Sequence, residues 1–133
     1  MLYRRKMKTL KQTYEIKAPL EKVWQALVNP TIIEKWSDSS VMMDDKIGTK
    51  FSLWSGEIYG TNIKVTPNKS LDQEWFGGKW DKPSIVTFTL SQMNNKTTIQ
   101  LLQKDVPDTA AKDIAEGWKI YYLGPMKKFL EKR

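Results

Sequence analysis

The chain has 133 residues, 40% hydrophobic and 28% charged, which is enough for one buried core and leaves no room for a second domain. It contains no Cys and no His, which excludes disulfides, thiolate nucleophiles, the commonest metal ligands and every Ser-His or Cys-His catalytic arrangement. The net charge is +7, but Arg4, Arg5, Lys6, Lys8 and Lys11 all precede the first acid, Glu15; without them 17 bases face 15 acids. The basicity therefore belongs to a tail over residues 1–8 and the start of the domain that follows over 9–133, and with no basic stripe on the body no nucleic-acid partner is expected. The opening Met1 to Lys8 lacks the apolar core of a secretory signal, and no run approaches the roughly 18 apolar residues of a membrane span, so a cytoplasmic protein without membrane insertion is expected. Met7, followed by a better strand, is an alternative natural start.

Thr9 to Lys17 alternates, with Leu10, Gln12, Tyr14 and Ile16 on one face, which is the period of a half-buried strand. Pro19 opens a helix over Leu20–Val28 whose Val23, Trp24, Leu27 and Val28 share a face, and Asn29-Pro30 ends it. Thr31–Trp36 is a second short helix. An antiparallel meander of six runs follows: Val41–Met43, Lys50–Trp54, Glu57–Thr66, Ser70–Phe76, Ser84–Gln92 and Lys96–Lys104. Turns at Asp44–Gly48, Ser55-Gly56, Thr66–Lys69, Gly77-Gly78 and Asn94-Asn95 separate them. Asp44-Asp45 is too sparse for a calcium loop and reads as a turn.

Pro107 closes the last strand, and Asp108 or Thr109 is placed to cap a long amphipathic helix over Thr109–Arg133. Its apolar stripe is Ala111, Ile114, Ala115, Trp118, Tyr121, Tyr122, Pro125 and Phe129. Such a helix is marginal alone and must pack its stripe on the sheet. Gly117 reads as a site of close packing against a strand or loop, and Gly124-Pro125 predicts a kink, because Pro125 lacks an N–H and its ring meets the carbonyl of Tyr121.

This order, with Ile16-Lys17-Ala18-Pro19, Val23–Leu27, Gly56–Gly60, Val65–Lys69, Trp75, Ser84–Leu90, Val106-Pro107 and Glu116-Gly117-Trp118, resembles the C-terminal domain of the activator of heat-shock-protein ATPase homologue family. That family lies within the START-like (SRPBCC) superfamily, and the resemblance covers roughly residues 12 to 131. It implies an α+β helix-grip fold: a curved antiparallel sheet around a long C-terminal helix, with two short helices after the first strand. It also implies a cavity between sheet and helix. Other branches of the superfamily bind lipids, sterols or polyketides, or act as cyclases, and the iron-binding branch requires histidines this chain lacks. The eukaryotic co-chaperone has an additional N-terminal domain for which this chain has no room.

On the expected register the inward face carries Phe51, Leu53, Tyr59, Ile63, Val65, Leu71, Gln73, Trp75, Val86, Phe88, Leu90, Ile99, Leu101 and Gln103. Trp118, Tyr121 and Tyr122 close it from the helix, and Trp24, Trp36 and Met42 shape one mouth. An apolar surface with a few polar handles suits a small apolar ligand. Gln73 and Gln103 are the informative positions, since an inward amide needs partners from protein, water or ligand. Asp72 and Glu74 point outward by alternation, and Glu57 lies on or near a strand. Tyr59, Tyr121 and Tyr122 could donate hydrogen bonds to a carbonyl, but no convincing catalytic constellation forms, and no cofactor or metal is expected. Three functions follow: a binding module for a small apolar molecule, an interaction protein stimulating a heat-shock chaperone ATPase, or a cyclase- or hydrolase-like enzyme on a hydrophobic substrate. The sequence leaves the oligomeric state open.

Overall fold

In the computed structural model, which describes residues 6–77 and 80–132, strand β1 (Met7–Ile16) begins two residues before the alternating run starts. Helices α1 (Leu20–Val28) and α2 (Pro30–Ser37) follow, then strands β2 (Lys50–Leu53), β3 (Ile58–Thr66), β4 (Ser70–Gly77), β5 (Ser84–Met93) and β6 (Lys96–Pro107). The strands form one antiparallel sheet in the order β1-β6-β5-β4-β3-β2, a meander to whose last strand the first is added. Asn29 serves both short helices: it ends α1, and its side chain accepts from the N–H groups of Thr31 and Ile32 to cap α2, with Pro30 in the first turn.

The meander has five strands rather than the six expected. Val41–Met43 forms only a single bridge, Met42 to Ser52, with two backbone bonds of 3.0 Å. The segment is also turned by one residue from expectation: Met42 is exposed and Met43 is buried against Gln73. Asn68 and Asn94 take the left-handed angles of their hairpin turns, as their side chains permit. Gly78 and the tail up to Arg5 lie outside the described residues.

β3 departs most from its expected register. Tyr59 faces the outer surface, stacked on Phe76 at 5.3 Å, and Ile63 is also outward and exposed. Gly60 and Asn62 point inward in their place, opposite Trp75 and Gln73. A bulge between Asn62 and Lys64 then restores the phase, so that Val65 meets Leu71 and packs on the core. The cause is Gly60: a Cβ there would lie 1.7 Å from the Glu74 carbonyl oxygen, so the inward position opposite Trp75 admits no side chain.

The C-terminal helix runs from a 3₁₀ turn (Asp108–Ala110) through α3 (Ala111–Gly117), one π-helical turn (Trp118–Tyr122) and α4 (Leu123–Glu131). Neither Asp108 nor Thr109 caps it through a side chain; Asp108 instead pairs with Lys8 at 3.2 Å. The expected break at Gly124-Pro125 appears as the π turn just before it, where the Leu123 N–H reaches back five residues to the Trp118 carbonyl. One extra residue in a turn rotates everything after it by about 100°. The buried stripe therefore runs Ala111, Trp118, Tyr122, Leu123, Met126, with Met126 fully buried where Pro125 was expected, and Tyr121 is left 64% exposed. Ile114, Phe129 and Leu130 pack partly buried against the same core. At its end Glu131 accepts from the Lys17 N–H at 2.8 Å and from Lys127 at 3.0 Å, tying the helix to the turn after β1 and holding the carboxyl below its usual range, the Lys17 bond first.

The π turn brings the Gly124 backbone against the Lys119 carbonyl, and a Cβ at 124 would sit 2.0 Å from that oxygen. Gly124→Ala should therefore destabilise the protein by about 1–3 kcal/mol in urea denaturation, even though alanine is the better helix former by about 1 kcal/mol. A neutral or stabilising result would show that the π turn is not a fixed feature.

Candidate functional site

The interior between sheet and helix is filled by side chains. Trp24, Trp36, Phe51, Gln73, Val86, Phe88, Ile99, Leu101 and Gln103 are all buried core residues. Trp24 and Trp36 do not shape an open mouth: Trp36 donates to the Ala26 carbonyl at 2.9 Å and lies 4.8 Å from the Tyr122 ring.

Gln73 and Gln103 point inward as expected, and protein groups satisfy both. The Trp75 indole donates to Gln73 at 2.8 Å, and Gln73 donates to Asn62 at 2.8 Å, whose own amide donates to the Asp44 and Lys46 carbonyls. The Trp118 indole donates to Gln103 at 2.7 Å; Gln103 donates to Ser84 at 2.9 Å, and Ser84 donates back to the Trp75 carbonyl at 3.3 Å. The two indoles so held stack on each other at 4.6 Å. Every amide group in this chain of bonds has a partner, which is the condition under which a buried polar network stabilises.

What stays open is a cleft at one end of this stack, about 350 Å³, lined by Trp54, Glu57, Ile58, Trp75, Ile114, Gly117, Trp118, Tyr121 and Tyr122. Of the residues expected at a ligand site, Trp75, Trp118, Tyr121 and Tyr122 are brought together here; Tyr59 and Ile63 are on the far face of the sheet. Trp54, Glu57, Ile58, Ile114 and Gly117 were not foreseen as its walls. The signal available for them was the turn Ser55-Gly56, whose conformation carries both Trp54 and Glu57 to the rim.

Three local features at the cleft are unfavourable for stability. Trp54 and Ser55 hold φ values of 49° and 56°, left-handed angles that bulky side chains rarely adopt. The turn places the Trp54 ring edge-on to Tyr122 at 6.1 Å. The Tyr122 hydroxyl, in a residue 2% exposed and ringed by Trp36, Trp54, Trp75, Phe88 and Trp118, has no hydrogen-bond partner among the described residues. Burial pushes its phenol well above the ordinary tyrosine range, so it stays protonated. Gly117 has ordinary helical angles, φ −61° and ψ −39°, and a Cβ there would meet nothing nearer than a Tyr121 ring carbon at 4.0 Å. The close packing expected at Gly117 is thus not what is found; the glycine borders open space.

A curved antiparallel sheet gripping one long helix, with an apolar cleft between them, defines the helix-grip class of α+β proteins. Residues 17–131 match the model of the family described as activator of Hsp90 ATPase homolog 1-like protein, and the chain belongs to that family. An activator of 90 kDa heat shock protein ATPase homolog from Dictyostelium discoideum is 29% identical over 90% of this chain and 32% of its own length. The human homolog 1 is 21% identical over 90% of this chain and 36% of its own length, so the chain spans about a third of these curated relatives. Among solved structures, an HSP90 activator from Plasmodium falciparum superposes with a TM-score of 0.86 at 24% identity, covering 92% of this chain and 95% of that one. The Aha1 dimer from Colwellia psychrerythraea gives 0.81 at 21% identity, covering 93% and 96%. Likenesses at these identities speak for the fold.

An unpartnered buried hydroxyl costs about 1–3 kcal/mol. Tyr122→Phe should accordingly raise the unfolding free energy by about 1 kcal/mol in urea denaturation. A loss of that size would mean that the hydroxyl is bonded in the folded protein.

Proposed function

We propose that this protein binds a small apolar or aromatic molecule in the cleft between Trp54–Ile58 and the face of the C-terminal helix around Gly117. The observation that carries this reading is Gly117 itself. A glycine inside a helix costs about 1 kcal/mol against alanine. Neither backbone angles nor neighbouring atoms require one here, and what it leaves is room in the cleft. The ring walls are prebuilt, since Trp75 and Trp118 are fixed by Gln73 and Gln103 before any ligand arrives, which lowers the ordering cost of binding. A ligand burying about 300 Å² of apolar surface would gain about 7 kcal/mol before association costs, which suits micromolar affinity. A mostly apolar, aromatic lining favours a binding module over an enzyme.

Titration with the neutral fluorophore N-phenyl-1-naphthylamine tests this directly. Binding in the micromolar range should be lost by at least about tenfold in Gly117→Leu, whose side chain enters the cleft, while that variant keeps or gains thermal stability. Equal binding by the variant and the native chain would place the ligand elsewhere, and no binding by the native chain would contradict the reading.

A second reading follows from the family match: an interaction protein that stimulates a 90 kDa heat-shock chaperone ATPase, as the names of the Dictyostelium and human relatives state for them. Its support is family membership alone. The chaperone from the same organism should hydrolyse ATP faster when saturated with this protein, and an unchanged rate would end this reading.

A further inference from the structure

The cleft's walls carry a charge preference. Five aromatic side chains line it, Trp54, Trp75, Trp118, Tyr121 and Tyr122, and the faces of such rings are the negative part of their quadrupoles. The charged side chain among its lining residues is a carboxylate, Glu57, and no Lys or Arg lines it among the described residues, in a chain with 22 of them and a net charge of +7. The lining of this cleft is aromatic side chains with one acid.

Glu57 is at the rim for a structural reason. The left-handed run Trp54, Ser55 and Gly56, with φ of 49°, 56° and 92°, turns the chain back on itself, and the Glu57 N–H closes the turn on the Trp54 carbonyl at 3.2 Å. One strained turn thus sets an indole and a carboxylate side by side on the cleft. On the opposite wall Tyr121 is 64% exposed from the helix, and Trp118 and Tyr122 are 4.8 Å apart beneath it.

We infer that the cleft recognises a small organic cation: an ammonium group attached to one aromatic or compact apolar group. This rests on the ligand-binding reading above and names its ligand class. The aromatic lining, of which Tyr121 is the most exposed ring, and the Glu57 carboxylate together favour positive charge, as in aromatic sites for quaternary ammonium groups. An anionic amphiphile such as a fatty acid would meet the Glu57 carboxylate with no countercharge in the lining. At about 350 Å³ the cleft is at the small end of ligand sites, about 300–1,000 Å³, which fits one ring with an ammonium head and not a sterol.

The test compares three ligands of nearly one shape on the full chain by isothermal titration calorimetry: phenyltrimethylammonium, its neutral isostere tert-butylbenzene, and 4-tert-butylbenzoate. The cation should bind at least about tenfold more tightly than the neutral isostere, and the carboxylate most weakly. Glu57→Gln, a change at an exposed position, should leave the melting temperature unchanged. It should weaken the cation by about three- to tenfold and leave the neutral ligand as it was. A neutral isostere that binds as tightly as the cation, a carboxylate that binds best, or a Glu57→Gln variant with unaltered cation affinity overturns the cation inference and leaves the general binding reading standing. Failure of all three ligands to bind contradicts both.

Discussion

The structure depends on two hydrogen bonds, each from an indole to a glutamine. Gln73 on the fourth strand accepts from Trp75, two residues along the same strand, and Gln103 on the sixth accepts from Trp118 on the helix. The two indoles meet face to face between them. The first bond fixes the orientation of the Trp75 ring; the second sets the rotation of the helix about its own axis, because only one helical phase brings the Trp118 N–H to Gln103. Apolar packing is tolerant of rotation and sliding, whereas a buried N–H left unpaired costs about 1–3 kcal/mol. The aromatic core supplies most of the stabilisation; the amides choose which arrangement of that core is adopted.

The same rings that end the core begin the cleft. Trp75, Trp118 and Tyr122 belong both to the packed interior and to the lining of the cleft, so the wall is as rigid as the core behind it. Around that wall the chain accepts a left-handed tryptophan, a phenol without a partner and a mid-helix glycine. Each of these is unfavourable alone, and together they occupy one small region; among the described residues the other buried side-chain atom without a partner is the Ser37 Oγ. Concentration of local cost at one place is the usual mark of a region shaped by something other than folding.

Much of this was legible in the residues. Strand periods, Asn29-Pro30, Asn68, Asn94 and the aromatic stripe of the last helix encode the helix-grip order, and the inward register of Gln73 and Gln103 follows from the alternation of their strands. Besides the one-residue turn at Met42, two one-residue phase changes were not legible, and both of these have local causes. In the third strand Gly60 takes the inward place because the neighbouring backbone is too close for a side chain, and a bulge at Ile63 then resets the alternation. In the helix the π turn before Pro125 shifts the stripe by one, exposing Tyr121 and burying Met126. Periodicity counts residues and does not register an extra one. The cleft was missed for a related reason: its new walls, Trp54 and Glu57, are placed by backbone angles of a turn, which residue type alone does not reveal.

The seating of the helix on the sheet depends on the bond between Trp118 and Gln103. A double-mutant cycle of Trp118→Phe and Gln103→Met, read by urea denaturation, measures it directly. It should return a coupling of at least about 1 kcal/mol, since the double variant removes donor and acceptor together and leaves neither indole nor amide stranded. Additive effects within about 0.5 kcal/mol would mean that the two side chains act independently and that packing alone sets the helix on the sheet.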